Sequence, residues 1–273
     1  MKIYALCFLS IIITCNGQAQ ELNKSYKRLP ATALWPGQKI DQKEIEESIK
    51  KAGIFKDVTQ AVIIPFLPTK ETANGTSILV CPGGGYSALA WLHHVENLAP
   101  FFTSKGITVI GLSYRTAHKQ NKIPEDPLKD FKQAISLIRK NAAEWNLDSD
   151  KIVGLGFSAG ANLLLQYACS PEGEKIKYLN FLCLWPFFKK ADDYTIQRKN
   201  LEIILFTAEE DKVAPAAFSM DMAQNFEKAG NKTTLIKYKE GSHMAFNFAQ
   251  DGPQIDWTKD FIKWLEEKKL PEK

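Results

Sequence analysis

The chain has 273 residues, of which 45% are hydrophobic and 24% are charged, and its formal net charge is +4 at pH 7. This is the composition of an ordinary globular protein, and α/β domains of this size commonly form one unit, so we expect a single domain. Positive and negative residues are interspersed along the chain. Because nucleic-acid-binding proteins gather basic residues into a patch or stripe, the composition argues against a nucleic-acid partner.

The first nineteen residues have the pattern of a secretory signal peptide. A positive start is followed by a short apolar run over residues 3–13, and small residues that end at Ala19 suit cleavage there. The apolar run is too short to span a bilayer. We therefore predict a signal peptide over residues 1–19 and a secreted or periplasmic domain over residues 20–273, with no transmembrane segment. Lipidation at Cys15 and a buried first strand are the alternatives.

After a polar lead over residues 20–38, which we expect to be irregular, the chain alternates between apolar runs and helical patterns. The runs that predict strands are residues 58–66, 77–81, 107–113, 151–157, 178–184, 202–207 and 233–238. The patterns that predict helices are residues 92–105, 127–145, 158–169, 216–229 and 253–268. Apolar strands separated by amphipathic helices indicate an α/β fold with a mostly parallel central sheet and helices on both faces. Ligands bind beyond the carboxyl ends of such strands.

A serine lies directly after one of these strands. Residues 156–160 (GFSAG) follow the predicted strand 151–157 and open the predicted helix 158–169. This G-x-S-x-G pattern is the nucleophile elbow, a sharp turn that presents a serine at the top of a sheet, and its glycines remove side chains that would collide there. The pattern is short enough to arise by chance, but its place between a strand and a helix makes Ser158 the candidate nucleophile.

A serine nucleophile needs a base, and the base needs an orienting acid. In proteins with this elbow the acid and then the histidine follow the serine along the chain. His243, just after the last predicted strand, is the one histidine downstream of Ser158. Asp211 follows the preceding strand and is the candidate acid. Two carboxylates in the same loop, Glu209 and Glu210, are its rivals.

A glycine-rich loop, residues 82–86 (PGGGY), follows the predicted strand 77–81. Backbone N–H groups stabilise the negative charge that develops on a carbonyl oxygen during acyl transfer, and a loop without side chains lets a substrate approach them. We predict that the amides of Ala159 and of Gly84 or Gly85 form this oxyanion hole. Phosphate binding is disfavoured because the chain has neither a P-loop nor a dinucleotide-binding pattern. A purely structural turn is the remaining alternative.

The sequence predicts neither a metal site nor a cofactor. His93 and His94 are adjacent, so on a helix they would not share a face. Three cysteines lie in apolar runs without a C-x-x-C pair, and we expect them to be core residues: Cys81, Cys169 and Cys183.

Aromatic residues lie beside the glycine loop and after the predicted strand 178–184. Tyr86 and Trp185, together with Met244 next to the candidate base, are candidates for an apolar or sugar-stacking wall of a substrate pocket. Because aromatic residues in such positions are more often part of the core, a packing role is the alternative.

With these residues in place, the chain resembles an α/β-hydrolase and, more narrowly, the secreted bacterial esterase group of acetyl xylan esterases and feruloyl-esterase-like (BD-FAE-like) proteins. The resemblance runs from about residue 34 to the C-terminus. Its matched segments are residues 34–37 (LWPG), 82–86 (PGGGY), 113–115 (SYR), 130–145, 156–160 (GFSAG), 211–215 (DKVAP) and 241–243 (GSH). The resemblance implies Ser158 as nucleophile, Asp211 as acid and His243 as base, with no cofactor.

The chain departs from the usual pattern of this group near the candidate site. Ala161 stands where the group has a second glycine after the elbow, and residues 241–244 (GSHM) replace its Gly-Gly-His-Gly. Residues 191–201 are also poorly matched and are a candidate for an altered rim. These changes bear on the identity of the substrate more than on the reaction.

The resemblance implies a serine esterase that hydrolyses carboxylic esters, above all acetyl esters, on plant or other polysaccharides through an acyl-enzyme. Two alternatives stay open. One is a peptidase similar to prolyl oligopeptidases, although the chain lacks their propeller domain. The other is a non-catalytic carbohydrate-binding relative.

Overall fold

A computed structural model describes residues 26–116 and 125–272. The signal peptide predicted over residues 1–19 and the alternative of lipidation at Cys15 lie outside the described residues. Within the described ranges, no helix has both the length and the apolar content that crossing a membrane requires.

The described residues form thirteen strands and six α-helices. The strands are β1 (Tyr26–Arg28), β2 (Thr32–Ala33), β3 (Phe55–Lys56), β4 (Val62–Pro68), β5 (Ser77–Cys81), β6 (Ala88–Leu89), β7 (Thr108–Ser113), β8 (Ile152–Phe157), β9 (Tyr178–Leu182), β10 (Glu202–Ala208), β11 (Lys232–Tyr238), β12 (Phe248–Ala249) and β13 (Gly252–Pro253). The helices are α1 (Gln42–Ala52), α2 (Ala99–Thr103), α3 (Asp126–Lys140), α4 (Ala159–Ala168), α5 (Ala216–Lys228) and α6 (Trp257–Glu267). The shorter turns are one π-helical turn, Leu92–Glu96, and two 3₁₀ turns, Ala191–Asp193 and His243–Phe246.

Nine of the strands form one sheet in the order β1-β4-β7-β5-β8-β9-β10-β11, with β2 also paired to β4. The six strands from β7 to β11 in this order are parallel, whereas β4, β1 and β2 add an antiparallel edge. Every residue of β5, β7, β8 and β10 is buried, as strands covered on both faces require. The predicted α/β fold with a mostly parallel sheet is therefore confirmed.

The lead that we predicted to be irregular over residues 20–38 contains two strands where it is described. β1 and β2 pair with β4 and cover the antiparallel edge of the sheet. The strand predicted from residue 58 begins four residues later, at Val62. Val58 instead pairs with Thr116: the amide of Thr116 donates to the carbonyl of Val58, and the amide of Val58 donates to Oγ1 of Thr116, both at 2.9 Å.

The single helix predicted over residues 92–105 is wrong, because the chain forms two separate pieces there. In the π-helical turn Leu92–Glu96, the amide of Asn97 donates to the carbonyl of Leu92, and α2 begins at Ala99. Pro100 lies in the first turn of α2, where its missing N–H costs no helical hydrogen bond. Apolar spacing alone does not separate this arrangement from one continuous helix.

The sequence analysis also misses α1, because only three residues of this helix are apolar (Ile45, Ile49 and Ala52) and none is buried. The helix begins after Asp41, whose carboxylate accepts from the amides of Lys43 and Glu44 at 2.9 and 3.2 Å. An aspartate at this position satisfies N–H groups that have no partner within the helix. α3 also ends earlier than predicted, at Lys140 rather than residue 145.

The carboxylate of Asp130, on α3, is fully buried and joins segments that are far apart in sequence. One of its oxygens accepts from the indole of Trp35 and from the guanidinium of Arg115, both at 2.7 Å. The other accepts from the backbone amide of Arg115 at 2.9 Å. The adjacent Tyr114 donates its hydroxyl proton to the carbonyl of Pro82 at 2.6 Å. This cluster therefore supports the start of the glycine loop.

We predict that Asp130→Ala lowers the free energy of unfolding by about 3 kcal/mol, as expected when one partner of a buried ion pair is removed. The value lies at the lower end of the usual range because the guanidinium of Arg115 is 26% exposed and can turn toward water. Urea unfolding followed by circular dichroism measures the change.

The matched control is Asp126→Asn, since Asp126 is half-exposed and lies 3.5 Å from the same guanidinium. An exposed ion pair contributes about 1 kcal/mol or less. Equal losses in the two variants would contradict a supporting role of the buried carboxylate.

Candidate active site

Ser158 occupies the turn between β8 and α4, and its backbone has φ 52° and ψ −112°. A residue with a side chain rarely adopts this conformation, so the surrounding structure has to impose it. α4 packs so closely on β5 that a Cβ added to Gly160 would lie 1.9 Å from the carbonyl oxygen of Cys81. The amide of Ser158 donates to the carbonyl of Leu182 at 3.0 Å. These contacts hold the serine at the carboxyl end of the parallel strands.

The structure brings Ser158, His243 and Asp211 into one line of hydrogen bonds. Nε2 of His243 lies 2.9 Å from Oγ of Ser158, and Nδ1 lies 2.7 Å from Oδ2 of Asp211. Because a carboxylate accepts at Nδ1, that nitrogen carries the proton, and Nε2 is free to accept the proton of the serine hydroxyl. The side chain of Asp211 is fully buried, whereas that of His243 is 17% exposed.

The loop after β10 itself orients Asp211. Oδ1 of this carboxylate accepts from the amides of Val213 and Ala214, both at 2.8 Å, which leaves Oδ2 for the imidazole. The two rival carboxylates lie elsewhere. Glu209 pairs with Lys237, and Glu210 accepts from the amide of Gly241 at 2.9 Å. In the described chain neither is hydrogen-bonded to the imidazole.

The glycine loop at residues 82–86 lies directly against the serine turn. A Cβ added to Gly83 would lie 3.0 Å from Cβ of Ser158. Within the part of the chain that the structure describes, the amides of Gly84 and Gly85 donate no hydrogen bond to protein atoms. The amide of Ala159 lies in the first turn of α4, where N–H groups have no acceptor within the helix. These amides are thus available to donate to a bound group.

Three comparisons with known proteins bear on this arrangement. Residues 65–181 match the BD-FAE family model. The structure is similar to that of an acetyl ester-xyloside bifunctional hydrolase from Caldicellulosiruptor lactoaceticus, with TM-score 0.63, 20% identity and coverage of 88% of this chain and 96% of that one. Esterase 2 of Thermogutta terrifontis gives TM-score 0.63, 21% identity and coverage of 80% and 94%.

The chain has the α/β-hydrolase fold. The resemblance inferred from residues 82–86 and 156–160 is confirmed by the family match and these structural neighbours.

Two curated relatives match part of this chain's sequence. The acetylxylan esterase of Xylanibacter ruminicola is 26% identical over 218 residues, which is 69% of this chain and 44% of the relative. The endo-1,4-beta-xylanase B of Butyrivibrio fibrisolvens is 39% identical over 87 residues, which is 32% of this chain and 14% of the relative. The chain therefore spans less than half the length of each of these two relatives.

The structure gives the three candidate pocket residues different degrees of exposure. Tyr86 is 2% exposed, and its hydroxyl lies 3.0 Å from the amide oxygen of Asn162, to which it donates. Trp185 is half-buried and packs against the ring of Tyr86, with centroids 6.4 Å apart. Met244, which directly follows His243, is 63% exposed. At the start of the poorly matched segment 191–201, the 3₁₀ turn Ala191–Asp193 packs against α5.

Cys183 lies beside the hydrogen-bonded line, a placement that the sequence did not reveal. Its sulfur, a carboxylate oxygen of Asp211 and a ring nitrogen of His243 all lie within 4.8 Å of one another. Burial raises the pKa of the Cys183 thiol well above its ordinary value. A metal would need the thiolate, so the environment favours a neutral thiol packed under the site.

His94 is the second residue near the site that the sequence analysis does not assign a role. It is 5% exposed, and its Nδ1 accepts from the amide of Gly83 at 3.0 Å. Burial lowers its pKa to about 4, from an ordinary value of 6.5. No sequence pattern identifies it, because the contact with the loop exists only in the folded chain.

We predict a pH-dependent contribution of His94 to stability. The unfolded chain binds a proton near pH 6.5 and the folded chain only near pH 4, so this contribution is complete above pH 6.5 and is lost as the pH falls toward 4. The pKa difference corresponds to about 3 kcal/mol. Urea unfolding at pH 7 and pH 4.5 measures it in the wild type and in His94→Gln, which has no titrating ring. The variant should lose less stability on acidification, and parallel losses would contradict the prediction.

Proposed function

We propose that this chain is a serine esterase that hydrolyses acetyl esters on a polysaccharide through an acyl-enzyme. The single observation that supports it best is the unbroken line of hydrogen bonds from Ser158 through His243 to Asp211. The names of the relatives, an acetylxylan esterase and an acetyl ester-xyloside hydrolase, favour acetylated xylan as the substrate class. In this proposal the protein acts outside the cytoplasm, where such polymers are found.

The reaction would begin with attack of the Ser158 hydroxyl oxygen on the ester carbonyl while Nε2 of His243 takes the hydroxyl proton. Asp211 keeps the imidazole in the required tautomer and stabilises the imidazolium that forms. The carbonyl oxygen becomes negatively charged in the tetrahedral intermediate. The amides of Ala159 and of Gly84 or Gly85 are the donors assigned to this oxygen.

The intermediate collapses when the bond to the alcohol oxygen breaks and the imidazolium gives its proton to that oxygen. The sugar hydroxyl leaves, and the acetyl group stays on Ser158. A water molecule then gives a proton to His243 and attacks the acetyl carbonyl, which releases acetate and restores the serine hydroxyl. Every proton transfer uses Nε2, the nitrogen that faces the serine.

We expect Ser158→Ala to lower kcat/KM on p-nitrophenyl acetate by about 10⁵-fold or more and to abolish covalent labelling by paraoxon. Paraoxon is the appropriate probe because Thermogutta terrifontis esterase 2, a structural neighbour with TM-score 0.64, has been solved phosphorylated by it. The double variant Ser158→Ala/His243→Ala should be no slower than the single one, since the two residues act as a unit. Wild-type protein that takes up no phosphoryl group would exclude the proposal.

The assignment of the acid is tested by comparing two carboxylates of one loop. Asp211→Asn should lower kcat by about 10⁴-fold, because the amide no longer selects the productive imidazole tautomer. Glu209→Gln removes a half-exposed carboxylate of the same loop, and kcat should stay within about twofold. The proposed roles would be wrong if the two substitutions had equal effects.

The substrate class is tested by acyl length and by polymer. We expect kcat/KM for p-nitrophenyl acetate to exceed that for the octanoate by about tenfold or more, which a difference of 1–3 kcal/mol in a pocket provides. Acetate release from acetylated xylan, measured by an enzyme-coupled assay, should be abolished by Ser158→Ala. Equal rates on both acyl lengths would argue against acetyl esters, and cleavage of a peptide p-nitroanilide would favour the peptidase alternative.

A further inference from the structure

We propose that His94 is a positioning residue that holds the glycine loop and the turn bearing His243 in one fixed arrangement around Ser158. The inference rests on the proposed function, since the alignment of the loop amides matters only if they receive an oxyanion. It adds to that function a residue outside the hydrogen-bonded line and outside the donors at residues 84, 85 and 159.

The first contact of the imidazole fixes the glycine loop. The amide of Gly83 donates to Nδ1 of His94 at 3.0 Å, and the carbonyl of Gly83 accepts from the amide of Ala90 at 2.9 Å. Gly83 directly precedes the two glycines whose amides are assigned to the oxyanion hole. A Cβ added to Gly83 would lie 3.3 Å from Cε1 of His94 and 3.0 Å from Cβ of Ser158, so the loop is held between the imidazole and the serine.

The second contact fixes the turn that bears the base. Because Nδ1 of His94 accepts a hydrogen bond, the proton of the neutral ring is on Nε2. Nε2 lies 2.9 Å from Oδ1 of Asn247 and therefore donates to it. Asn247 follows the 3₁₀ turn His243–Phe246 and closes it, with its amide donating to the carbonyl of Met244 at 3.0 Å. One imidazole thus bridges two loops that are far apart in sequence.

The ring of His94 is itself held in place by the residue before the nucleophile. It stacks on Phe157 with ring centroids 4.1 Å apart and an angle of 2° between the planes. His94 belongs to the π-helical turn Leu92–Glu96. Such turns are rare in proteins, but those that occur are often at functional sites. The next residue after that turn, Asn97, donates its side chain to the carbonyl of Phe248 at 2.9 Å. The loops carrying the nucleophile, the oxyanion donors and the base all meet this one segment.

The bridge requires a neutral imidazole, because a protonated ring has no acceptor for the amide of Gly83. The titratable groups that act on His94 are His93, in the same turn, and His243 across the site, and a charge on either would oppose protonation of His94. The burial that lowers the pKa of His94 acts in the same direction. The neutral, Nε2-protonated form is thus the one that this environment favours.

Steady-state kinetics with p-nitrophenyl acetate on purified full-length chain test the role. His94→Leu removes both hydrogen bonds and should lower kcat by about 10- to 100-fold with little change in KM, since oxyanion stabilisation acts in the transition state. His94→Gln can still accept and donate and should restore kcat to within about threefold. The control is His93→Gln, since Nδ1 of His93 has no hydrogen-bond partner among the described residues, and its kcat should match the wild type.

If His94→Leu does not fold, Asn247→Ala provides an alternative test of the proposal. It removes only the second contact, and we expect a smaller loss of kcat, of about 3- to 10-fold, at an unchanged melting temperature within a few degrees. A wild-type kcat in folded His94→Leu or in Asn247→Ala would overturn the proposal. So would a His94→Gln variant as slow as His94→Leu at equal stability, because a role in packing alone predicts no rescue.

The tautomer gives a readout that does not depend on activity. In wild-type protein with ¹⁵N-labelled histidine, the His94 ring, assigned by its absence from His94→Gln, should show a neutral Nε2-protonated pattern from pH 8 to pH 5. A charged or Nδ1-protonated ring would overturn the inference even if the esterase activity is as proposed. An inactive wild type with the expected ring pattern would instead count against the proposed function, which separates the two failures.

Discussion

The close packing of α4 on β5 is the constraint on which the whole site depends. No side chain fits at Gly160, where a Cβ would overlap the backbone of Cys81. The chain can reach this position only through a sharp turn, and Ser158 takes the positive φ of 52° that the turn requires. Such a conformation costs of order 1–3 kcal/mol. The burial of nearly all of α4 offsets this cost, so the serine is held where a relaxed loop would not leave it.

Parallel strands make the remaining residues meet at the same place. The three residues of the hydrogen-bonded line follow three strands that are close together in the sheet: Ser158 follows β8, Asp211 follows β10 and His243 follows β11. Only β9 lies between β8 and β10. Their carboxyl ends share one edge, so loops that are 85 residues apart in sequence are neighbours in space. The glycine loop follows β5, which pairs with β8 on the side of β8 opposite to β9.

Each of these loops is held by contacts of its own before any substrate arrives. Asp211 is fixed by two amides of its loop, and Glu210 holds Gly241 two residues before the imidazole. The glycine loop is held by the amide of Gly83 on one side and by the carbonyl of Pro82 on the other. In the proposed reaction, donors that are oriented in advance would need no reorganisation when charge develops on the substrate. Two departures of this chain from the esterase pattern differ in their surroundings. Ala161 is buried in α4, whereas Met244 is exposed at the site.

By itself the sequence determined the parallel strands of the central sheet, most of the helices between them, the serine turn and the two loops most relevant to it, but not α1 or the short strands β1 and β2. Apolar runs and glycine spacing are local, and local patterns report directly on burial and backbone conformation. Only the tertiary structure decided which of three neighbouring carboxylates meets the imidazole, because that depends on how the loop after β10 turns its amides toward Asp211. It likewise decided that His94 touches the glycine loop and the turn before Asn247. Those contacts join residues up to 153 positions apart, and no local pattern specifies a hydrogen bond over that separation.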